Sequence, residues 1–281
     1  LATVTGVTES PTNSHAATLT VSGNGVTHYQ DRHDSGETYS AQAPVATPIV
    51  LENLPDGGHS VWVVGRDEAG NWQPESISTK VSWVVDTDSP QAVLSNVPSD
   101  PTNLTSAVVS VGGAGVVAYQ YLFDAGGYGE FLTVAEHPSI SLEFATQGAH
   151  SLSVKGRDAA GNVQETPTTA TWTVDLQSPV AVLTGAPEGT VATRDVSVTV
   201  GGEGVTQYKF RFDAEDWSAE AVPVATPITR TGLADGAHTL EVAGGDAAGN
   251  WQPESSASTA SWTVDATAPA ADLTGVPVGE V

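Results

Sequence analysis

Cysteine and methionine are absent from the 281 residues. Disulfide frameworks, thiolate metal sites, cysteine nucleophiles and thiol redox switches are therefore excluded. Basic residues are scarce: 9 Lys and Arg stand against 33 Asp and Glu, a formal charge of −24. So acidic a chain repels phosphate, which argues against nucleic acid as a partner. The same charge favours solubility and attracts cations. No run of about 18 apolar residues occurs, so membrane insertion through a helix is not expected. Helical patterning is missing as well, with no window of about 11 residues holding apolar side chains at i, i+3, i+4 and i+7. The chain opens at Leu1 without a secretory leader. It is expected to be a processed protein or a stretch of a longer one.

What is present is repetition. Asp56-Gly57-Gly58-His59 recurs as Gln147-Gly148-Ala149-His150 and Asp235-Gly236-Ala237-His238. Asp67-Glu68-Ala69-Gly70-Asn71 recurs at Asp158 to Asn162 and at Asp246 to Asn250. Trp83-Val84-Val85-Asp86 recurs at Trp172 to Asp175 and at Trp262 to Asp265. A period of about 90 residues is the size of a whole domain rather than of a solenoid unit. Ser89-Pro90, Ser178-Pro179 and Ala268-Pro269 open successive copies. The expected domains are 1–88, 89–177 and 178–267, with 268–281 the first strand of an incomplete fourth copy.

Period-two alternation runs through every copy. Ala17, Leu19 and Val21 share one strand face, as do Ala107, Val109 and Val111, and Val196, Val198 and Val200. Val81, Trp83 and Val85 form another inward row, repeated at Ala170, Trp172 and Val174 and at Ala260, Trp262 and Val264. Alternation with polar outer faces predicts antiparallel sheets, each with one solvated side. The recurring Trp is the core anchor, its burial contributing about 1.5–3 kcal/mol. In the first copy strands are expected near 1–7, 16–22, 26–34, 45–53, 59–67 and 78–86, with a short extra one near 37–41. Some seven short strands in about 90 residues predict an all-β fold of immunoglobulin-like or fibronectin-III-like sandwiches.

The segment Leu54 to His59 resembles the corner before the sixth strand of fibronectin-III domains, with His in place of the usual Tyr. Three strings then recur in the same order: Asp-Gly-x-His-x-Leu in the third copy, with Val61 for Leu in the first and Gln147 for Asp in the second; Asp-x-Ala-Gly-Asn; and Val-Asp followed by a proline linker. Together they resemble the Ig-like tandem repeats of large secreted bacterial surface proteins and adhesins. The resemblance implies an extracellular, cell-surface stalk, fibre or filament of rod-like form whose partners are neighbouring repeats. It names no ligand.

Candidate sites divide into two groups. The Asp-x-Ala-Gly-Asn segments read as hairpin turns, with glycine in a left-handed conformation. A second reading is calcium, which takes six to eight oxygens. In a sandwich the loop between the last two strands faces the preceding domain. Asp86 and Asp88 would then meet Asp158 and Asn162, and Asp175 would meet Asp246 and Asn250. Some adhesin repeats clamp their junctions with calcium in this way. The second linker, Asp175-Leu176-Gln177, has no acid matching Asp88. The other group is aromatic: Trp62, Trp72, Trp217 and Trp251 lie outside the anchor row and could bind a glycan or a host surface protein, or pack within the array. A self-assembling filament, in which other copies of the chain are partners, is the third alternative. His59, His150 and His238 are expected to be structural. His28, Asp31, His33 and Asp34 cluster in the first copy alone. No Gly-x-Ser-x-Gly, His-Glu-x-x-His or phosphate-loop motif occurs, so no enzyme activity is expected.

Overall fold

The computed structural model describes residues 1–7, 9–272 and 274–275. The first copy contributes β1 (Thr3–Thr5), β2 (Ala17–Ser22), β3 (Val26–His33), β4 (Ala43–Pro44), β5 (Ile49–Leu51), β6 (Gly57–Asp67) and β7 (Thr79–Val85). The second contributes β8 (Val93–Ser95), β9 (Ser106–Gly112), β10 (Ala118–Phe123), β11 (Leu132–Thr133), β12 (Ser139–Glu143), β13 (Gly148–Arg157) and β14 (Thr168–Val174). The third contributes β15 (Val182–Thr184), β16 (Gly189–Val191), β17 (Val196–Gly201), β18 (Gln207–Phe212), β19 (Val222–Pro223), β20 (Ile228–Arg230), β21 (Gly236–Gly245) and β22 (Ser258–Val264). Two single turns of 3-10 helix, Glu75–Ile77 and Glu254–Ser256, are the helices among the described residues.

The sheets come in pairs. Orders β1-β2-β5 and β4-β3-β6-β7 serve the first copy, β8-β9-β12 and β11-β10-β13-β14 the second, and β15-β17-β20 and β16-β22-β21-β18-β19 the third. Each copy is thus a β-sandwich of the immunoglobulin-like or fibronectin-III-like kind. The chain packs as two compact units. One holds Leu1–Val97, Ala107–Leu142 and Ser151–Ala170; the other holds Pro98–Ser106, Glu143–His150 and the described residues from Thr171 onward.

In the first unit, Leu19, Val21, Ile49, Val61, Val63, Trp83 and Val85 form one core. In the second, Val196, Val198, Val200, Tyr208, Leu240, Val242, Trp262 and Val264 form its counterpart. The alternating rows are thus the inward rows. Ala17, Val81 and Ala260 are only half-buried at the strand ends. Each anchor Trp has the corner His against its ring, at 5.8 Å for His59 and Trp83, 6.3 Å for His150 and Trp172, and 6.1 Å for His238 and Trp262.

Three strand expectations change. The short strand expected near 37–41 is absent; the edge strand is β4, whose Ala43 and Pro44 pair with Tyr29 and His28. Asp34, at φ 45°, and the Gly36 N–H bonded to the His33 carbonyl turn the intervening chain away from the sheet. The strand expected over 45–53 narrows to β5. A turn from Pro44 to Thr47 occupies its start, and Asn53, at φ 55°, ends it. Half of the segment 268–281, where a fourth-copy strand is expected, lies outside the described residues; 268–272, 274 and 275 are not strand.

After the first strand of each copy the chain crosses to the other sheet and runs parallel to its last strand. In the third copy this is β16, whose Gly189, Thr190 and Val191 pair with Trp262, Thr263 and Val264. In the other two it is a single bridge, Thr12 to Val85 and Thr102 to Val174. Pro11 and Pro101 precede those bridges and have no N–H to extend the ladder.

The corner histidines hold two acceptors each in the first and third copies. His59 Nε2 lies 2.8 Å from the Pro55 carbonyl and Nδ1 lies 3.0 Å from Asp34 Oδ2. His238 sits likewise, 2.9 Å from the Ala234 carbonyl and 3.0 Å from Asp213 Oδ2. A ring flanked by two acceptors is best satisfied with both nitrogens protonated. Burial pulls His59 down, but the Pro55 carbonyl and the Asp34 carboxylate outweigh it and its pKa lies above the ordinary 6.5. The Ala234 carbonyl and the Asp213 carboxylate raise His238 in the same way, against a smaller effect of burial. Burial pushes Asp34 and Asp213 up, but their bonds to the histidines and to the Ser60 and Thr239 N–H groups hold both below the ordinary 3.8.

The signs then fix a window. A raised histidine contributes stability that is full below its unfolded pKa and fades as pH rises through the folded one. A depressed carboxylate contributes stability above its unfolded pKa that fades as pH falls through the folded one. Melting temperature is therefore expected to peak in weak acid. Both carboxylates are more than a third exposed, so screening limits each pair to less than about 1 kcal/mol. Thermal melts of the wild type and of a His59→Phe/His238→Phe variant from pH 4 to 9 test this. An unchanged decline on the alkaline side in the variant would assign it to other groups.

Candidate functional site: turn and linker

The Asp-x-Ala-Gly-Asn segment closes on itself identically three times. The Asp N–H donates to the Asn carbonyl, at 3.1, 3.1 and 3.0 Å for Asp67, Asp158 and Asp246. One carboxylate oxygen accepts the Asn backbone N–H at 2.8 Å in every copy. The other accepts the Asn Nδ2 at 2.9, 2.8 and 2.9 Å. Gly70, Gly161 and Gly249, at φ 97°, 94° and 97°, allow the tight reversal. Both oxygens of the aspartate are thereby engaged, and the first Nδ2 hydrogen bond fixes the amide plane.

The amide's second proton points at the preceding copy. Asn162 Nδ2 donates to the Asp86 carbonyl at 2.8 Å, and Asn250 Nδ2 donates to the Asp175 carbonyl at 2.8 Å. The first of these contacts lies within the first compact unit and the second within the other. A loop of the preceding copy adds to each. The Asn13 side chain lies beside Gly161, its Nδ2 3.6 Å from where a Cβ would stand, and the Asn103 side chain lies beside Gly249, its Nδ2 3.3 Å from the corresponding point, while the Asn103 backbone N–H donates to the Ala248 carbonyl at 3.1 Å. Asp158, Ala160, Asp246 and Ala248 are buried as a result.

A glutamine two residues beyond the Asn completes the arrangement. Gln164 Oε1 accepts the Ala92 N–H at 2.9 Å and the Gly156 N–H at 3.1 Å, while its Nε2 donates to the Thr166 carbonyl at 2.7 Å. Gln252 does the same for Ala181, Gly244 and Ser256, at 2.9, 3.2 and 2.7 Å. Gln73 serves Ala2, Gly65 and Ile77 in the first copy. Thr168 Oγ1 donates to the Ala92 carbonyl at 2.7 Å, and Thr79 Oγ1 to the Ala2 carbonyl at 2.6 Å. The residue two past the linker proline is thus held at both its N–H and its C=O. Ser89 Oγ adds a bond to the Val163 carbonyl at 3.1 Å. Such a linker is a bonded strap rather than a tether.

The residues singled out for calcium are brought together, but through a different chemistry. Asp158, Asn162 and the Asp86 carbonyl meet, as do Asp246, Asn250 and the Asp175 carbonyl, by direct hydrogen bonds. The Asp86 and Asp88 carboxylates instead group with Asp56, with ligand atoms within 4.8 Å of one another. Thr87 Oγ1 and N–H already bind Asp56, and the Asp88 N–H binds Asp86. Each carboxylate oxygen of the turn aspartates already accepts an amide proton from the Asn of its own turn. The second copy carries Gln147 and Gln177 where the first has Asp56 and Asp88.

The four outer tryptophans carry cations on their faces. Trp62 lies between Arg32 at 4.5 Å and Lys80 at 4.7 Å. Trp217 has Arg211 at 5.0 Å, Trp251 has Lys209 at 5.4 Å, and Trp72 has Arg66 at 6.0 Å. Trp251 also packs on Gly245, where a Cβ would come within 3.0 Å of the indole. Of the four, Trp72 is the most open at 38%. In the first-copy cluster, buried Asp31 sits between His33 at 2.5 Å and Ser40 Oγ at 2.7 Å, while Asp34 turns to His59. With the acid in the middle, the hydroxyl meets a carboxylate and not the imidazole, the reverse of the Ser-His-Asp order.

No protein-family model matches the sequence, and no curated protein matches it. Solved structures do. A 1.5-MDa bacterial ice-binding adhesin, studied for its retention at the host cell surface, is 17% identical over 94% of this chain and 98% of its own, with a TM-score of 0.45. A tetra-tandem repeat from the extending region of a large adhesion protein is 19% identical over 95% and 74%, with a TM-score of 0.33. The fibronectin(III)-like modules of Clostridium thermocellum CbhA are 15% identical over 62% and 94%, with a TM-score of 0.39.

Proposed function

We propose that this chain is a non-catalytic tandem segment of an extracellular bacterial surface protein, acting as a rod-like spacer. One observation carries the reading. At each internal linker the chain is bonded on both sides: Asn162 and Asn250 reach back to the Asp86 and Asp175 carbonyls, and Gln164 and Gln252 grip Ala92 and Ala181, two residues past the linker proline. Polar groups recruited to fix a linker limit the bending between copies. Surface placement rests on the recurring Asp-x-Ala-Gly-Asn and Val-Asp-linker motifs.

Calcium is a second contributor in this proposal, favoured by the three carboxylates of Asp56, Asp86 and Asp88 and by the acidic charge of the whole chain. The cation-covered tryptophans favour packing over a glycan platform. Small-angle scattering of the full chain tests both parts. The wild type is expected to scatter as an extended, stiff particle, and Asn162→Ala to broaden the pair-distance distribution while lowering stability by no more than about 1 kcal/mol. If the variant and wild type scatter alike, the amide clamp does not set stiffness. Scattering that is the same in millimolar calcium and in chelator removes calcium from the account. A particle mass well above 28.7 kDa would replace the spacer with a self-assembling filament.

A further inference from the structure

The first copy carries the same turn as the other two, and its Asn71 is exposed. Asp67 fixes the Asn71 amide plane as Asp158 and Asp246 fix theirs. Its second Nδ2 proton is therefore aimed as theirs are, toward where a strand-end carbonyl of a preceding copy would lie. Ala2 is already held by Gln73 and Thr79, in the way Ala92 and Ala181 are held after their linkers. The docking face is thus complete before anything docks on it. Arg66 lies over Gly70, 3.1 Å from the position of a Cβ, and its flexible side chain can swing aside at little cost.

The two internal junctions also show what such a face reads. Each preceding copy offers a Val-Asp strand end and the asparagine of a Pro-Thr-Asn loop, Pro11-Thr12-Asn13 or Pro101-Thr102-Asn103. The third copy departs from this. It has Thr190-Val191-Ala192 there, with Gly189–Val191 drawn into the sheet as β16. Its end keeps Val264-Asp265 but has no asparagine to set against a following turn.

We propose that the turn Asp67–Asn71 is a docking face for the C-terminal end of a copy bearing both the Val-Asp strand end and the Pro-Thr-Asn loop, joined ahead of Leu1 by a proline linker. Ends of the first and second type fit it, and the third-type end does not. This rests on the tandem-spacer reading above and adds an order to it, in which the loop asparagine selects which copy precedes which.

The test extends the full chain at its N-terminus. Joining a second 91–179 segment to Leu1 keeps the native register, since Pro179 is followed by Val180 and Ala181 where the first copy has Leu1 and Ala2. Joining 180–269 gives the third-type end. Side-chain amide exchange of Asn71 is followed by NMR in asparagine-labelled protein. The 91–179 extension is expected to slow it at least tenfold, and the 180–269 extension less than threefold. Asn103→Ala within the added 91–179 segment is expected to behave as the third type. Equal protection by both extensions would overturn the selection by asparagine. No protection by either, with Asn162 and Asn250 protected in the same sample, would overturn the docking face while leaving the spacer intact. If Asn162 and Asn250 also exchange freely, the spacer reading fails with it.

Discussion

Replacing Trp262 by alanine is expected to destabilise the third copy's sandwich by about 3–5 kcal/mol, the range for deleting a buried aromatic. Trp262 is 4% exposed and sits in β22 among Leu240, Val242 and Val264. Phe212 meets its ring edge-on at 6.5 Å, and His238 lies across it. The cavity would open at the centre of the layer, where strands on both sides are held by their ladders and cannot close in. The indole adds a diagnostic. Its Nε1 is buried with no hydrogen-bond partner among the described residues, so Trp262→Phe removes an orphaned donor together with ring volume. That variant is expected to lose only about 1–2 kcal/mol, the lost packing being partly offset by the donor no longer desolvated. Calorimetry of both variants checks the pair. Equal losses would mean the indole N–H is satisfied in solution, and no loss in the alanine variant would remove Trp262 as the anchor.

The other large effect is expected from a polar residue. Gln252→Leu keeps approximate size and burial but leaves the Ala181 and Gly244 N–H groups and the Ser256 carbonyl without partners. Each buried, unpaired group costs about 1–3 kcal/mol, and partial rescue by water brings the expected sum to about 2–4 kcal/mol. Gln252→Glu separates acceptance from donation. It retains two acceptor oxygens, loses the donor to Ser256, and places a carboxylate where the glutamine is 4% exposed. Burial raises the pKa of such a carboxyl, so this variant is expected to regain stability toward acid while Gln252→Leu does not. Urea unfolding at pH 5 and pH 8 reads the difference. A Gln252→Leu midpoint within error of wild type would show that the amide is dispensable.

Alternation made the sandwich legible. Leu19, Val21, Val61, Val63, Trp83 and Val85 are inward for the reason their spacing gives: a pleated strand with one wet face has no other way to bury them. The corner histidines were legible as structural because they recur with the turn. The junction was legible only in part. Spacing brought Asp158 and Asn162 to the Asp86 end of the preceding copy, but not the bond from the Asn162 amide to the Asp86 carbonyl. A carbonyl has no letter in a sequence, so a contact made to backbone leaves no mark on the residue that supplies it. Gln73, Gln164 and Gln252 did leave a mark, standing two residues after the Asn in all three copies. Their role is hidden in the sequence because polar recurrence in a loop has the same appearance as solvent exposure. The edge strand at Ala43–Pro44 was misplaced because two-residue pairing has no periodicity to detect.

The crossing of the first segment to the far sheet has a consequence for a chain under tension. β15 leads into the third sandwich and β16 follows it; β22 leads out, and β16 and β22 run parallel with three residue pairs in register. Once β15 is drawn off β17, pulling the entrance and exit apart slides β16 and β22 along one another, so their hydrogen bonds are loaded together rather than opened singly. The first two copies oppose the same pull with one bridge each. Stretched end to end, the chain therefore has a yield order written into it, with the first two copies giving way before the third.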